Sequence, residues 1–342
     1  MPDSVPDSVS DSVPDRAPSP LDLKVVALGG GHGLAASLAA LRRVVTDLTA
    51  VVTVADNGGS SGRLRREFGV LPPGDLRQAL AALCGDDDWG RTWARVLQHR
   101  FASDGEMHDH ALGNLLIVTL WELLDDHVGG LDWVARLLGA HGRVLPMAVT
   151  PIDITASVRG LDLRRPGSVS TVRGQVQVAS TTGQVTAVRL EPEDPPACRE
   201  ALAAVAVADW VVLGPGSWFT SVIPHLLVPA LRKALVESPA RKAVTVNLEP
   251  QVGETDGFTP ETHLEVIAAH APDLSLDVVL ADQRSGGDAD RLGKVAAALG
   301  AELMVADLAA DDGAPRHDPA KLANAYAGLM GPAEGERDLT HS

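Results

Sequence analysis

The stretch LKVVALGGGHGL, residues 23–34, is the clearest indication of the fold. Its first six residues, 23–28, form a short apolar run typical of a buried strand, and glycines follow at once. Apolar residues then recur at helical spacing over residues 34–45, and a second β-branched run covers residues 51–54. Strand, glycine turn, helix and strand in this order predict a complete βαβ unit.

The same alternation continues in the second half of the chain. Further apolar strands are predicted at residues 210–213, 243–246, 278–280 and 303–306. Helical patterns, such as those at residues 229–236 and 321–329, separate or follow them. Strands that alternate with helices predict an α/β fold with a Rossmann-like, doubly wound, mostly parallel sheet.

Two segments between these halves have a different pattern. Residues 75–140 are predicted to be mainly helical, with breaks at glycines. Residues 152–190 are predicted to form a small antiparallel hairpin insert, in which two alternating runs, 175–178 and 184–188, pair with each other. We expect this insert to be a lobe on the Rossmann-like domain rather than a domain of its own.

The two ends of the chain differ from the region between them. Residues 2–17 repeat Pro, Ser, Asp and Val in a four-residue pattern, which buries too little apolar surface to fold. We expect residues 1–20 to be a disordered tail that acts either as a solubilising extension or as a phosphorylation platform. A single domain is predicted over residues 21–330, followed by a C-terminal tail at 331–342.

Composition and charge argue against several classes of protein. The chain has 342 residues, of which 45% are hydrophobic, and a formal net charge of -16. This charge repels nucleic acid and anionic membranes, so neither is an expected partner. The two cysteines are far apart, no apolar run approaches the roughly 20 residues of a membrane span, and the amino terminus lacks a signal-peptide pattern. We therefore expect a cytoplasmic protein without membrane insertion.

The first glycine turn is a candidate phosphate site. It consists of Gly29, Gly30, Gly31, His32 and Gly33. It lies between a strand and a helix, where free backbone N–H groups and the helix dipole hold anions. The dinucleotide pattern GxGxxG fails at its last position, which is Leu34. The glycines therefore serve either a ligand or only a tight turn, and His32 either donates to a ligand or faces solvent.

A polar loop follows the second predicted strand. Its candidate ligand-binding residues are Asp56, Asn57, Gly58, Gly59, Ser60, Ser61 and Arg63. Asp56 stands where a doubly wound fold places the carboxylate that binds a ribose hydroxyl, although a turn cap is an alternative role. Arg63 is a candidate clamp for a diphosphate. Farther along the chain, Asp75 is interpreted as an acid near a helix start.

Three further places complete the predicted site. Their candidate residues are Gly214, Pro215, Gly216, Ser217, Asn247, His110 and Asn114. The turn at residues 214–217 repeats the first glycine turn after another strand, so the two turns are expected to meet at one crevice of the sheet. Asn247 either contacts a sugar hydroxyl or stabilises a turn. His110 and Asn114 are interpreted as hydrogen-bonding residues. No third metal ligand accompanies His108 and His110, so neither a metal site nor a catalytic residue is predicted.

Several sequence blocks together resemble the YvcK/CofD-like superfamily, and specifically its YvcK branch of gluconeogenesis factors (GlmR). The blocks are ALGGGHGL, TAVVTVADNGGSSGRLRREFGVLPPGDLRQALAAL, HALGNL, LGPGSWFTSVIPHLLVPAL, VTVNLEPQVGETDGFT and RHDPAKLANA. The resemblance implies a cytoplasmic regulator that binds UDP-N-acetylglucosamine, with NAD as a further candidate ligand and no required cofactor. It implies a link between carbon supply, cell-wall precursor synthesis and cell shape.

The resemblance also bears on partners and on the end of the chain. A protein of cell-wall precursor metabolism is the expected partner, and a homodimer is the assembly considered. Arg316, in the last block, matches a position that contacts the nucleotide sugar in this interpretation, whereas a surface ion pair is its alternative role. The segment that precedes Arg316 is shorter than in many members of the family, so ligand contacts from it are in doubt.

Two departures from the family pattern bear on activity. Asn57 replaces the family's usual second acidic residue after Asp56, and His32 replaces a small hydroxyl residue of the first glycine turn. The alternative hypothesis is a phosphoester transferase of the CofD type, which acts with Mg²⁺ on a 2-phospho-L-lactate-like group. Because Mg²⁺ prefers anionic oxygen ligands, the missing carboxylate weakens that hypothesis. An NAD-dependent dehydrogenase would have the same fold, but this sequence shows no evident proton-transfer residue for its reaction.

Overall fold

The computed structural model describes residues 19–162, 164–251, 253–285 and 288–331. The predicted tails, 1–20 and 331–342, lie outside these ranges except for their innermost residues. The strands are β1 (Leu21–Gly29), β2 (Val45–Val52), β3 (Arg143–Pro146), β4 (Asp153–Arg159), β5 (Val169–Arg173), β6 (Gln184–Glu191), β7 (Trp210–Leu213), β8 (Arg241–Thr245), β9 (Val278–Asp282) and β10 (Glu302–Ala306).

Helices separate most of the strands. The α-helices are α1 (Gly31–Leu41), α2 (Gly59–Phe68), α3 (Gly74–Ala82), α4 (Asp88–Gln98), α5 (Leu112–Leu124), α6 (His127–Leu138), α7 (Gln175–Ala179), α8 (Arg199–Ala206), α9 (Ile223–Leu227), α10 (Pro229–Glu237), α11 (Pro260–His270), α12 (Ala289–Ala298) and α13 (Pro319–Met330). A π-helical turn, Trp218–Val222, leads directly into α9. Helices α3 to α6 occupy the region that the sequence predicts to be mainly helical.

The main sheet contains seven parallel strands in the order β3-β2-β1-β7-β8-β9-β10. The order reverses at β1, which pairs with β2 on one side and with β7 on the other. Residues 25–29 of β1 and the whole of β7 are buried, as expected for strands with helices on both faces. The predicted doubly wound, mostly parallel sheet is confirmed.

The observed strands differ from the predicted ones mainly at the edge of the sheet and at the strand starts. β2 begins at Val45, well before the predicted run at 51–54. The sequence did not reveal this earlier start because exposed Thr46 and Asp47 interrupt the apolar pattern of the strand. β3 is not predicted at all, since a run of four residues that ends in Pro146 carries little periodicity. Its place at the sheet edge explains why a proline is tolerated there.

The insert forms a second, antiparallel sheet with the strand order β5-β4-β6. The predicted pairing of residues 175–178 with 184–188 is wrong: β6 pairs with β4, and residues 175–178 belong to the short helix α7. The start of α7 is held by Asn57, whose Oδ1 accepts a hydrogen bond from Val176 N (3.0 Å). Because that contact comes from a distant loop, a short alternating run does not reveal it.

The helices of the described residues differ in length and apolar composition from membrane-spanning helices. No single helix there combines the length and the apolar composition that a bilayer crossing requires. One bent pair of helices, Trp218–Leu227 with Pro229–Glu237, has that length and composition when its halves are taken together, and the angle between the halves is 77°.

Candidate functional site

The carboxyl ends of β1 and β7 lie side by side where the strand order reverses, and a glycine-rich turn follows each strand. The two turns are in direct contact. A Cβ atom at Gly33 would lie 2.3 Å from the carbonyl oxygen of Pro215 and 2.5 Å from the Cα of Gly216. Doubly wound sheets bind ligands in the crevice at this place, so these turns form its floor.

The first turn leads into α1, whose amino end faces the crevice. Gly30 precedes the helix without any side-chain cap, and Gly31 adopts a φ of +57°. A Cβ atom at Gly30 would lie 2.5 Å from Thr53 Cγ2 and 2.7 Å from Asp75 Oδ2. Only glycine therefore fits at position 30, and the helix dipole favours an anion at the start of α1.

Three connected chambers form a cleft along this edge of the sheet. The main chamber, about 250 Å³, lies over the first turn. The outer chamber, about 340 Å³, extends from it toward Arg316, and the inner chamber, about 180 Å³, extends toward Arg77. The main chamber shares His32, Gly33, Gly216 and Gln251 with the outer chamber, and Asp56, Asp75 and Gln78 with the inner one.

Buried polar atoms without partners are concentrated in this cleft. Thirteen buried side-chain N or O atoms of the described residues lack a hydrogen-bond partner, and seven of them belong to residues of the cleft wall. The seven are Thr53 Oγ1, Arg77 Nε, Gln78 Oε1, Asn114 Oδ1, Thr220 Oγ1, Gln251 Oε1 and His317 Nε2. A larger cavity of about 490 Å³, at the amino ends of β1 to β3, is lined by none of the thirteen. Buried polar groups are normally paired, so unpaired ones are unusual, and among the described residues they are more frequent in the walls of this cleft than around the larger cavity.

The turn after β7 has its own internal partners. Asn247 holds Gly216 at both backbone atoms: its Oδ1 accepts from Gly216 N and its Nδ2 donates to Gly216 O, each at 2.9 Å. Buried Glu254 then accepts hydrogen bonds at Oε1 from Phe219 N (2.6 Å) and Thr220 N (2.9 Å), at the start of the π-helical turn. Burial raises the pKa of Glu254, and these donors oppose the rise. The side chain of Glu254 therefore occupies the place at this helix start where an external anion would bind.

Ser60, His110 and Asn114 form a buried network beneath the polar loop after β2. Ser60 Oγ accepts hydrogen bonds from Asn114 Nδ2 (3.0 Å) and Ala111 N (3.3 Å), and it lies 3.1 Å from His110 Nδ1. Burial and the charge of Arg63 lower the pKa of His110, so the neutral ring accepts the hydroxyl proton at Nδ1. Ser60 thus fixes the start of α2 against α5.

Asn57 and Arg63 bond to other parts of the protein. Asn57 accepts a hydrogen bond from a backbone N–H of α7 (3.0 Å) and donates to Gln177 Oε1 (3.2 Å). Arg63 donates to the carbonyl oxygens of Glu106 (3.1 Å) and His108 (2.7 Å). Both side chains thus anchor neighbouring segments, the insert and the loop before α5.

The structure brings most of the predicted ligand-binding residues to one cleft. Those that line it are Gly30, Gly31, His32, Gly33, Asp56, Gly58, Gly59, Ser60, Ser61, Asn114, Pro215, Gly216, Ser217, Asn247 and Arg316. Those that do not line it are Gly29, Asn57, Arg63, His110 and Gly214. For the residues of both groups, contact with a ligand stays a prediction.

Several polar residues of the cleft are missing from the predicted set, and Asp75, Arg77, Arg100 and His317 are among them. Burial and the charge of Asp56 raise the pKa of Asp75 to about 7. Burial and the charge of Arg100 lower the pKa of Arg77 to about 10. Charged residues near a helix start resemble ordinary caps in sequence, and only the block PPGDLRQ within the family resemblance offered a signal for Asp75 and Arg77.

The outer chamber combines apolar and polar walls. Arg316 lines it while pairing with Asp312 at 2.5 Å. His317 beside it is buried, and burial lowers its pKa to about 4, so its ring is neutral. The Nε2 atom of this ring has no hydrogen-bond partner. Leu248 and Pro315 supply apolar surface. This chamber is therefore suited to a flat, partly polar group.

Comparison with known proteins identifies the family. The sequence matches the family described as "2-phospho-L-lactate transferase CofD" over residues 25–311. A protein from Mycobacterium tuberculosis (strain CDC 1551 / Oshkosh), named "Putative gluconeogenesis factor", is 52% identical over 308 residues, covering 89% of this chain and 90% of that protein. The "Gluconeogenesis factor" of Listeria innocua is 33% identical over 330 residues, covering 92% of this chain and 98% of that protein.

A solved structure has the same architecture. The crystal structure of a UPF0052 family member from Bacillus halodurans has a TM-score of 0.78 and 32% sequence identity, and the match covers 89% of this chain and 98% of that chain. These matches confirm the family that the sequence blocks resemble, and they span nearly the whole length of the relatives. The chain belongs to the CofD family, in its branch of YvcK-type gluconeogenesis factors.

Proposed function

We propose that this gluconeogenesis factor is a cytoplasmic regulatory protein that binds UDP-N-acetylglucosamine and links carbon metabolism to cell-wall precursor synthesis and cell shape. One observation carries the ligand class: the main chamber lies over the start of α1, which has no side-chain cap, and its walls are mostly glycine and polar side chains. Such a cleft is suited to a ligand with a diphosphate and many hydroxyl groups. The cellular role comes from the family resemblance and not from the site.

Each part of the nucleotide sugar has a complementary region in the main and outer chambers. Backbone N–H groups at Gly31 to Gly33 and the Ser217 hydroxyl would hold the diphosphate. Asp56 and Gln251 would accept hydrogen bonds from sugar hydroxyls, and the base would lie in the outer chamber against His317. NAD also carries a diphosphate, so it is the natural competitor for the same region.

Regulation requires that the ligand favours one of two conformations. The insert offers a route for this, because Gln175 of α7 lines the main chamber while Asn57 holds α7 from the opposite loop. A ligand in the main chamber would bond Gln175 and change the position of α7 on the surface. A protein of cell-wall precursor metabolism is the proposed reader of that surface, and a second copy of the chain is the alternative partner.

A phosphoester transferase of the CofD type is the second candidate function. The family match favours it, as does the presence of two carboxylates, Asp56 and Asp75, in one chamber wall. Among the described residues, no three or more His, Cys, Asp or Glu side chains are grouped to hold a metal ion. These two residues would therefore hold Mg²⁺ only together with substrate phosphates, which complete its oxygen shell.

Calorimetric titration separates these candidates. The full chain is titrated with UDP-N-acetylglucosamine, UDP and NAD, with and without Mg²⁺, and each sample is then analysed for product. The regulator hypothesis predicts tight binding of the nucleotide sugar without turnover. Product that forms only with Mg²⁺, or an absence of nucleotide-sugar binding, would favour the transferase.

Two exposed histidines provide a matched pair of variants for the same titration. His32 lines both the main and the outer chamber, whereas His108 lies outside the cleft. We expect His32→Ala to weaken binding of the nucleotide sugar about tenfold, which corresponds to one lost hydrogen bond of about 1.4 kcal/mol. His108→Ala should bind as the unmodified protein does, and equal losses in both variants would contradict this placement.

A further inference from the structure

The insert is a basic part of an acidic chain. Residues 153–191 contain five arginines, three acidic residues and neither lysine nor histidine, whereas the whole chain has a formal net charge of -16. All three acidic side chains are in ion pairs, which are Asp153 with Arg65 and Arg173, Glu191 with Arg173, and Asp162 with Arg165. Among the described residues, no carboxylate pairs with Arg159, Arg164 or Arg189. The insert therefore carries positive charge that is not neutralised internally.

The strand register places three of these arginines on one face of the insert sheet. Arg173 and Arg189 stand opposite Thr155, on the two sides of β4, and Arg159 follows Thr155 four residues later on β4. Alternate residues of a strand point to opposite faces, so Arg159 shares the face of Thr155. Four residues of an extended strand span about 13 Å at roughly 3.3 Å each. Arg159 thus lies about 13 Å along the strands from the row of Arg173 and Arg189.

This outer face of the insert sheet is accessible to a partner. The opposite face packs into the core through Ile154, Ala156 and Val158, each at most 1% exposed. The three arginines of the outer face are all exposed. Between them the face carries only small or hydroxyl side chains, which are those of Thr155, Ser157, Thr171 and Ala187. The outer face therefore combines a flat centre with positive charges at its margins.

Charge and composition together select the class of partner. Arginine forms its strongest hydrogen bonds with carboxylates and phosphates. Residues 153–191 include no aromatic side chain on which the bases of a single strand of nucleic acid could stack. The net charge of -16 also repels a polymer with one phosphate at every nucleotide more strongly than a segment with a few carboxylates. Protein carboxylates are therefore the complementary groups for the outer face.

The outer face is continuous with a segment that lines the main chamber. β5 ends at Arg173, and Gln175, two residues later, is part of the chamber wall. Only Gly174 separates the two residues. A ligand that fixes Gln175 would therefore also restrict the position of Arg173 on the outer face.

We propose that the outer face of the insert sheet is the docking surface for the partner protein, and that it binds an extended acidic segment of that protein. This inference rests on the proposed function and deepens it, since it names the surface and the chemistry by which the partner reads the ligand state. Carboxylates four residues apart in an extended segment lie on one side of it, about 13 Å apart. They match the distance along the strands between Arg159 and Arg189.

Two synthetic peptides of equal composition are the probes. Each contains three glutamates among serines and glycines, and the glutamates are four residues apart in the spaced peptide and adjacent in the clustered peptide. Fluorescently labelled peptide is titrated with the full chain at low ionic strength, and binding is measured by anisotropy. We expect the spaced peptide to bind about threefold more tightly, because it forms one more ion pair at a time. Equal affinities, or tighter binding of labelled oligothymidylate than of the spaced peptide, would overturn the proposal.

A pair of double variants locates the probe. Arg159→Gln with Arg189→Gln should weaken binding of the spaced peptide about tenfold, since each exposed ion pair contributes up to about 1 kcal/mol. Arg95→Gln with Arg291→Gln removes the same charge from exposed positions of α4 and α12, and it should leave binding unchanged. All four side chains are exposed, so both variants are expected to fold. Equal losses in the two variants would show that only net charge matters and would overturn the assignment to the outer face.

The amino-terminal repeat of this chain is the competing occupant. It carries aspartate at positions 3, 7, 11 and 15. It is joined to the amino end of β1, whereas the insert reaches the cleft at the carboxyl ends of the strands, about 26 Å away along β1. We therefore expect a variant with Asn at these four positions to bind the spaced peptide as the unmodified protein does. A gain of about tenfold would show that the repeat occupies the outer face, and it would overturn the external partner.

A titration in saturating UDP-N-acetylglucosamine separates this inference from the proposed function. We expect the nucleotide sugar to raise the affinity for the spaced peptide about threefold, because a fixed Gln175 also restricts Arg173. Equal or lower affinity would overturn the proposal, since the outer face would not report the ligand state. If the nucleotide sugar does not bind but the peptide binds in a manner that depends on Arg159 and Arg189, the proposed function fails and the docking surface stands. If only the nucleotide sugar binds, the docking surface alone fails.

Discussion

The turns after β1 and β7 have similar sequences, but the backbone N–H groups that follow them differ in their hydrogen bonding. Both are rich in glycine, both follow a buried strand, and the two touch at Gly33 and Pro215. The turn after β1 leads into an eleven-residue helix without a side-chain cap. The turn after β7 leads into a π-helical turn whose first N–H groups are bonded to the carboxylate of Glu254. The helix start of the first turn has no side-chain cap, although the Asp75 carboxyl group accepts a hydrogen bond from the Gly31 N–H.

The difference shows what a glycine turn specifies. Glycines determine where the backbone turns tightly and where another chain segment approaches closely. They do not determine whether the N–H groups at the helix start are already bonded. A residue about 35 positions away along the chain, Glu254, settles that question for the second turn. The four experiments that follow test how far the two turns are independent.

The largest effect is expected where the two turns touch. Gly33→Val would place a Cβ atom 2.3 Å from the Pro215 carbonyl oxygen, and both partners are backbone, so both turns must move. We expect a loss of about 4 kcal/mol in the free energy of unfolding, measured by urea denaturation. Gly31→Ala is the control: its Cβ would meet nothing within 4 Å, so only the φ of +57° costs about 1 kcal/mol. Equal losses would show that contact between the turns is unimportant.

Removing the internal anion of the second turn should have the next largest effect. Glu254→Ala leaves the buried N–H groups of Phe219 and Thr220 without acceptors, which costs about 3 kcal/mol in unfolding free energy. Glu254→Gln keeps an acceptor oxygen and should cost about 1 kcal/mol. The Ala variant should also gain stability from added sulfate more than the unmodified protein does, since a helix start is then vacant. If sulfate gives no such gain, the helix start after the second turn does not bind an external anion even without Glu254.

Asp75, beside the first turn, should make stability depend on pH. Burial and Asp56 raise its pKa to about 7 in the folded protein, against 3.8 for an unperturbed Asp. Between these values the unfolded chain loses the proton before the folded one, so the Asp75 contribution to stability falls as pH rises. Asp75→Asn removes this dependence. Its stability relative to the unmodified protein should rise by about 2 kcal/mol from about pH 5 to about pH 8 in urea titrations. A difference that is constant with pH would contradict it.

The smallest effect concerns the insert, whose Gln175 lines the main chamber over the first turn. Asn57→Ala removes two hydrogen bonds to α7, of 3.0 and 3.2 Å, at a cost of about 1 kcal/mol to the local stability of α7. Amide hydrogen exchange should become faster in α7 and stay unchanged in β7. Faster exchange in both segments would show that the insert and the second turn are coupled.

Much of the fold could be predicted because its signals are local. The apolar run 23–28, the glycines after it and the helical spacing that follows lie within one window, and so do β7 to β10. β3 and α7 could not be predicted in the same way. β3 is stabilised as a strand by its neighbour β2, and α7 is held as a helix by Asn57. In both cases the stabilising partner is remote in sequence.

The residues of the candidate site also differ in whether a local sequence signal reveals them. Glycine turns and the Asp56 loop are visible in sequence, because turn chemistry uses a small set of residue types. Arg77, Arg100 and His317 carry no such signal, since each belongs to a segment whose role depends on what it faces. Arg63 looks equally suitable as an anion ligand, yet its guanidinium bonds the carbonyl oxygens of Glu106 and His108.

Local patterns along the chain were therefore enough to predict a doubly wound α/β protein with glycine turns at one crevice, and the resemblance of its sequence blocks indicated the CofD family. Periodicity and glycine placement act over a few residues, and folding leaves them unchanged. The long-range packing established which helix start is open, which buried polar atoms lack partners, and which arginines face the cleft. Hydrogen bonding, burial and charge depend on groups far apart in sequence, so these properties exist only once the chain has folded.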